Sequence, residues 1–146
     1  GYYTPDKETL FCKQLLRNEN EVIGYETGLS ALNRIGLVSQ MPQKRCIATN
    51  LHMKRIPKGM QIEIRKPPIR VNADNFRYLQ ILDAIRELDM APVDTAKPVD
   101  VVRATVQKFA LETDQMILMA RKYYGQKTLV RTIDIMLEGS YESARG

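Results

Sequence analysis

Hydrophobic residues recur at helical spacing over most of the chain and alternate with polar residues over one short middle segment. Between residues 76 and 88 an apolar side chain returns every three positions, at Phe76, Leu79, Leu82, Ile85 and Leu88. This spacing predicts a helix that is capped by Asn72 or Asp74 and ends near Met90. Residues 61–66 alternate instead, which is typical of a strand.

Other segments with helical spacing stand on either side. The chain opens with a predicted helix that is capped by Asp6 or Thr4 and runs to about Asn18. The last predicted helix ends at Gly139 and is rich in β-branched residues, so a strand is the alternative there. The predicted helices of the second half begin near Pro98 and cover residues 114–124 and 128–137.

Residues 25–42 predict a short helix that leads the chain into its middle segment. Thr27 offers an N-cap hydroxyl, and Gly36 stands where a left-handed C-cap residue belongs. The only charged side chains in the stretch are Glu26 and Arg34. We therefore interpret it as architecture rather than as a reaction centre.

The middle segment, residues 44–71, predicts a small antiparallel sheet. Strands are expected at Arg45–Thr49 and at residues 61–66, with residues 54–56 as a candidate third strand. The Pro-Lys-Gly sequence at residues 57–59 predicts a turn between them. The polar face of this sheet is expected to carry most of the basic residues of the segment.

Helices around one small sheet indicate the α+β class. We expect a single domain over residues 1–139. It would consist of a helical entry (1–42), a basic sheet (44–71) and a helical second half (73–139). Residues 140–146 are expected to form a flexible tail.

Length and composition agree with one globular domain. The chain has 146 residues, of which 44% are hydrophobic and 27% charged. No apolar run approaches the ~20 residues that cross a bilayer, and we expect no signal peptide, because no stretch has its pattern. We expect a cytoplasmic protein with no membrane partner.

The net charge of +5 is concentrated in the middle segment. Between Lys44 and Arg70 the only acid is Glu63, so this segment is strongly basic while the rest of the chain is slightly acidic. Such a concentration predicts contact with an anionic partner, although a solvated face is the simpler alternative. The candidate contact residues are Lys44, Arg45, Lys54, Arg55, Lys58, Arg65, Lys66 and Arg70.

The chain offers little for metal binding. Cys12, Cys46 and the single histidine, His52, are too few and too far apart for a Cys/His cluster. We expect reduced, structural thiols, since a disulfide between the two cysteines would need an oxidising compartment.

Catalytic patterns are equally sparse. Asp83 with Glu87, and Asp134 with Glu138, lie four residues apart on predicted helices, where ion pairs with nearby cations are the simpler role. His52 has no Ser or Cys motif beside it, and we expect a surface residue. No phosphate-binding glycine loop is present. We predict a non-enzymatic protein that needs no cofactor and takes no small-molecule substrate.

One stretch resembles a known family. The run Gly24-Tyr25-Glu26-Thr27-Gly28-Leu29-Ser30-Ala31-Leu32-Asn33-Arg34-Ile35-Gly36-Leu37-Val38-Ser39-Gln40-Met41-Pro42 resembles the signature of AbiEi-type antitoxins of bacterial type IV toxin-antitoxin (abortive infection) systems. The similarity continues through residues 47–50, 62–68 and 79–85, and covers roughly residues 2–88. Residues 2–5 also resemble the segment that leaves the winged helix in such proteins.

The resemblance implies a role in phage defence. Proteins of this family pair a winged helix that binds operator DNA with a C-terminal domain that neutralises the toxin and assists transcriptional repression. The chain resembles the second domain, without the winged helix that reads the operator. The implied partner is a cognate nucleotidyltransferase-like toxin, with which direct or indirect antagonism are both open.

Two other classes stay open. A nucleic-acid-binding module unrelated to toxins would use the same basic residues, with Tyr25 or Phe76 available for stacking. A non-catalytic interaction subunit would instead expose an apolar surface on the C-terminal helices, formed by Met116, Met119 and Met136.

Overall fold

The computed structural model describes residues 6–52, 55–88, 93, 95 and 97–145, with side chains described as far as Leu137. Its helices are α1 (Lys7–Leu16), α2 (Gly28–Ile35), α3 (Phe76–Glu87), α4 (Pro98–Lys108), α5 (Thr113–Tyr123) and α6 (Gln126–Arg145). Its strands are β1 (Arg17–Asn18), β2 (Glu21–Val22), β3 (Gly24–Glu26), β4 (Arg45–Thr49) and β5 (Ile62–Arg65). The α+β class and the helical C-terminal half are confirmed.

The first helix begins as predicted. The Asp6 carboxylate accepts a hydrogen bond from the backbone N–H of Glu8 at 3.2 Å, which caps α1. The helix ends at Leu16, and the chain then folds back through the short β1–β2 hairpin. Glu19, at its tip, has a positive φ of 56°. The hairpin delivers the chain to β3.

Strands β3, β4 and β5 form a mixed sheet in that spatial order. β3 is antiparallel to β4, whereas β4 and β5 run parallel. The structure thus corrects the direction predicted for the two strands within residues 44–71. About a dozen residues connect β4 to β5, which is enough chain to cross back to the end of the sheet where β4 begins and so form a parallel pair.

The third strand is also not the one expected. It is β3, whereas Arg55 and Ile56 of the candidate strand lie in irregular chain and Lys54 lies outside the described residues. The predicted turn is present, with Met60 N–H donating to the Pro57 carbonyl at 3.2 Å.

The central strand β4 is covered on both faces. Ile47 packs in a small hydrophobic cluster with Cys12 and Leu15 of α1, while Ala48 belongs to the main cluster around α3. The expected polar face of the sheet is therefore confined to the edge strand β5, where Glu63 is exposed and Arg65 half-buried. Most of the basic residues lie in the connections that flank the strands instead.

Helix α2 keeps one of its two predicted caps. Gly36 is left-handed, with φ 96°, and its N–H reaches the carbonyls of Leu32 and Asn33. Thr27 stands at the N-cap position, but its side chain makes no capping hydrogen bond. Its hydroxyl donates instead to Asp83 on α3.

Helix α3 is the centre of the main hydrophobic cluster. Leu79, Leu82 and Ile85 are fully buried, as their spacing predicts. The N-cap residue is Asn75, which corrects the predicted caps Asn72 and Asp74. The side-chain oxygen of Asn72 accepts instead from the backbone N–H groups of Asp74 and Asn75, both at 2.9 Å, in the turn before the helix. The predicted end near Met90 lies outside the described residues.

The C-terminal helices close the other side of the cluster. α4 begins at Pro98 as predicted. α6 is helical throughout, which excludes the strand alternative, and it continues past the predicted end at Gly139 to Arg145. The flexibility expected for residues 140–146 stays a prediction. In the described parts of the chain, no helix has both the length and the hydropathy needed to cross a bilayer.

Candidate functional site

The predicted basic residues fall into two groups. Arg45 and Arg65 are half-buried and ion-paired. Lys54 lies outside the described residues. The exposed group is Lys44, Arg55, Lys58, Lys66 and Arg70. Only the exposed group is available to an incoming partner without breaking an internal ion pair.

Arg45 is tied to a buried carboxylate. Glu26 on β3 is only 7% exposed, and its Oε1 accepts from the Arg45 guanidinium at 2.6 and 3.2 Å. Arg34 of α2 donates to the other carboxylate oxygen. Burial acts to lower the pKa of Arg45, but the hydrogen bonds with Glu26 and the surrounding negative charges together outweigh it and raise that pKa. Arg45 therefore joins β4 to β3 rather than facing a partner.

Arg65 is held where β5, α2 and α3 meet. Its guanidinium lies 3.2 Å from a carboxylate oxygen of Glu63 and 3.2 Å from one of Glu87. It also covers Gly28, where an added Cβ would stand 3.1 Å from Nη1 and φ is +58°. Glycine is favoured at this position because both the backbone angle and the approach of Arg65 disfavour a side chain.

A basic groove forms where β4 and β5 end. Because the two strands are parallel, the chain leaves both at the same edge of the sheet. A cavity of about 410 Å³ opens there between residues 49–52 and 64–70. Its cationic lining residues are Arg65, Lys66 and Arg70, beside the exposed His52. We call this cavity the basic groove.

Asn50 fixes the two walls of the basic groove to each other. Its side-chain amide donates to the Val71 carbonyl and accepts from the Val71 N–H, both at 2.8 Å. This pair of bonds joins the exit of β4 to the segment after Pro67-Pro68. It holds Arg70, the residue before Val71, at the rim of the groove.

A buried polar network lies beneath the stretch of residues 25–42. Asp83 is 2% exposed and accepts hydrogen bonds from the hydroxyls of Tyr25 (2.9 Å), Thr27 (2.6 Å) and Tyr124. Arg86 lies 3.7 Å from the same carboxylate. Burial, and next the charge of Asp83, raise the pKa of both tyrosines well above their usual value. The hydroxyls are therefore held neutral, as donors.

Sequence reasoning missed this network. The signal available in the sequence was a charged residue, Asp83, between Leu82 and Ile85 in the apolar repeat of the predicted helix. In the structure all of residues 78–85 are buried. The carboxylates of Asp83 and Glu87, the pair considered for catalysis, have separate roles. Asp83 accepts the hydrogen bonds of the buried network, whereas Glu87 forms an ion pair with Arg65. Asp134 is exposed, and the side chain of Glu138 lies outside the described residues.

Both cysteines are buried and free of disulfide bonds. The Cys46 thiol donates to a Glu63 carboxylate oxygen at 3.1 Å, and burial, followed by this bond, raises the pKa of Cys46 to about 11. Burial also raises the pKa of Cys12. Both thiols are thus held protonated rather than as thiolates. Among the described side chains no group of His, Cys, Asp and Glu is arranged to hold a metal ion.

The stacking rings and the methionine surface named for the two other classes are not exposed as those classes would need. Tyr25 is buried in the Asp83 network, and Phe76 is half-buried beside Arg77, so neither presents a free face for base stacking. Met116, Met119 and Met136 are buried in the main cluster rather than exposed on a docking surface.

The chain matches no protein-family model, no curated protein and no solved structure. The resemblance to AbiEi-type antitoxins therefore stays a prediction that rests on the residues quoted for it.

Proposed function

We propose that this chain is a cytoplasmic, non-enzymatic antitoxin domain of a type IV system that counteracts a nucleotidyltransferase-like toxin and assists repression. The observation that supports it most is the basic groove, whose Lys66 and Arg70 are exposed and have no acidic partner among the described residues. An acidic protein surface or a phosphate could bind these two positive charges without displacing an internal ion pair.

The contact residues in this proposal are fewer than the sequence suggests. Arg45 and Arg65 serve the fold through Glu26, Glu63 and Glu87. Reversing Arg65 would gather three carboxylates at one point, so it is a poor probe of binding. Lys66 and Arg70 can be reversed with little effect on the core.

The test is the double variant Lys66→Glu/Arg70→Glu, expressed in cells together with a cognate nucleotidyltransferase-like toxin. Protection should be lost, because two attractive contacts become repulsive. The control is Lys122→Glu/Arg121→Glu, which reverses two exposed charges on α5, away from the groove. Both proteins should keep the thermal unfolding midpoint of the wild type within a few degrees. Full protection by the groove variant would reject the groove as the antitoxin surface.

A second candidate function is contact with the phosphate backbone of DNA. It is favoured by the five exposed bases of the middle segment. The same two variants separate the candidates: a groove variant that protects cells but binds operator DNA more weakly, with a shallower salt dependence, would assign the groove to DNA.

A further inference from the structure

A second cationic site lies outside the middle segment. A cavity of about 490 Å³ opens between α2, α3 and α4. A neighbouring cavity of about 240 Å³ shares Arg34, Arg77 and Gln80 with it and adds Arg17. The polar and charged residues that line the larger cavity are Arg34, Arg77, Gln80, Thr105 and Lys108. None of them belongs to the basic groove.

Arg77 is held at the junction of the two cavities without a carboxylate. Its guanidinium carbon lies 4.0 Å from the ring centre of Phe109 and 4.7 Å from that of Phe76. Its Nη1 donates to the side-chain oxygen of Gln80 at 3.3 Å. Gln80 is itself buried, and its amide nitrogen donates to the Glu26 backbone carbonyl at 3.1 Å. Two rings and one amide therefore fix the plane of the guanidinium.

The charge at this junction is not balanced internally. Burial, and next the positive charges of Arg17 and Arg34, lower the pKa of Arg77. Arg34 is paired with Glu26, but that one carboxylate also serves Arg45. Among the described residues Arg17, Arg77 and Lys108 have no acidic partner. An anion in the cavity would relieve this repulsion.

The donors of Arg77 suit a phosphate. A guanidinium carries five N–H donors in a planar fork, and only one of those of Arg77 is used by Gln80. The remaining fork matches two oxygens of one phosphate, with Lys108 as a second charge at the rim. The cavity is also lined by apolar side chains, among them Ile35, Val101 and Ala104. The volume is in the range of small-molecule sites, about 300–1,000 Å³.

We propose that this cavity binds the phosphate group of a small phosphorylated ligand. Arg77 grips the phosphate, Arg34 and Lys108 add charge, and the organic part of the ligand lies against Ile35 and Val101. Because a free phosphate ion and a phosphate ester share this chemistry, the probes must distinguish them.

The experiment is isothermal titration calorimetry on the full chain at low salt, with AMP, ATP, inorganic phosphate and adenosine as separate probes. AMP and ATP should bind and adenosine should not. Binding of inorganic phosphate as tight as that of AMP would identify the free ion as the ligand, whereas tighter AMP binding would identify an ester. Arg77→Gln should weaken the tightest probe at least about tenfold, the effect of losing a charged hydrogen-bonded contact.

Controls separate binding from folding. Lys122→Gln removes an exposed lysine near the end of α5, as Lys108→Gln does at the end of α4. Only Lys108→Gln should weaken binding. If Arg77→Gln lowers the unfolding midpoint strongly, Lys108→Gln, at an exposed position that lines the cavity, takes its place.

Two results would overturn the proposal. One is the absence of heat from every phosphate probe at millimolar concentration. The other is equal affinity of the wild type and the cavity variants. Since the cavity shares no residue with the basic groove, neither result bears on the antitoxin proposal.

Discussion

The carboxylate of Asp83 joins β3, the start of α2 and the end of α5 through three hydroxyl donors. Such a group is costly to bury unless its hydrogen bonds are made. In this protein the hydrogen bonds to Asp83 are made, and among the described residues no buried side-chain nitrogen or oxygen lacks a partner. Single residues thus decide how the segment 25–42 is fixed onto α3.

Replacing Asp83 by Ala should lower the free energy of unfolding by about 3–5 kcal/mol, because buried hydroxyls of Tyr25 and Thr27 lose their acceptor. Urea unfolding followed by circular dichroism measures the change. Asp134→Ala, at an exposed position on α6, should change it by less than about 0.5 kcal/mol. Equal effects of the two substitutions would contradict a structural role for the network.

At the scale of elements, α3 and the parallel pair β4–β5 do different work. α3 is buried around most of its circumference, and it supplies six side chains to the main cluster, Tyr78, Leu79, Ile81, Leu82, Ala84 and Ile85. The parallel pair brings the ends of β4 and β5 to one edge and so creates the basic groove. The first element supplies stability, and the second supplies the candidate surface.

The contribution of α3 can be measured at Leu82, which is fully buried. Leu82→Ala should destabilise the fold by about 2–5 kcal/mol through lost burial and a residual cavity. Leu118→Ala, on α5, is the matched control, because Leu118 is 42% exposed and should cost less than about 1 kcal/mol. If the Leu82→Ala and Leu118→Ala proteins have the same urea midpoint, α3 is not the centre of the core.

At the scale of the whole molecule, buried thiol and tyrosine hydroxyl groups with raised pKa values make the stability depend on pH. The pKa of Cys46 is raised from 9.0 to about 11, and those of Tyr25 and Tyr124 are raised further. A raised pKa means that the folded state keeps a proton which the unfolded chain releases. The stabilising effect is complete below the unfolded pKa and is lost as the pH rises toward the folded one.

The free energy of unfolding should therefore fall above about pH 9, with each such group contributing up to about 1.4 kcal/mol per pH unit. Cys46→Ser keeps a donor for Glu63 but does not titrate in this range. The difference in unfolding free energy between wild type and Cys46→Ser should be constant from pH 7 to about 9 and shrink or change sign above it. Parallel curves up to about pH 11 would show that Cys46 does not titrate differently in the two states.

Local sequence patterns were enough to predict the helices and the α+β fold class. Leu79, Leu82 and Ile85 mark the buried side of α3, and Asp6 and Gly36 mark helix ends, because periodicity and capping depend on neighbours a few residues away. The segment 44–71 was likewise recognisable as basic and strand-forming. No comparable local signal sets the direction in which β5 pairs with β4.

The roles of individual charges lay beyond local patterns. In the sequence Arg45 and Lys66 are both basic residues of the same segment. In the structure Arg45 forms an ion pair with Glu26, which lies nineteen residues away in the chain. Arg65 forms an ion pair with Glu87. Arg77 packs between the rings of Phe76 and Phe109 and has no carboxylate partner among the described residues. Composition and periodicity thus account for the helices and for the excess of charge. Which charges remain available for a partner depends on contacts between distant segments, since an ion pair forms only where the fold brings its two members within a few ångströms.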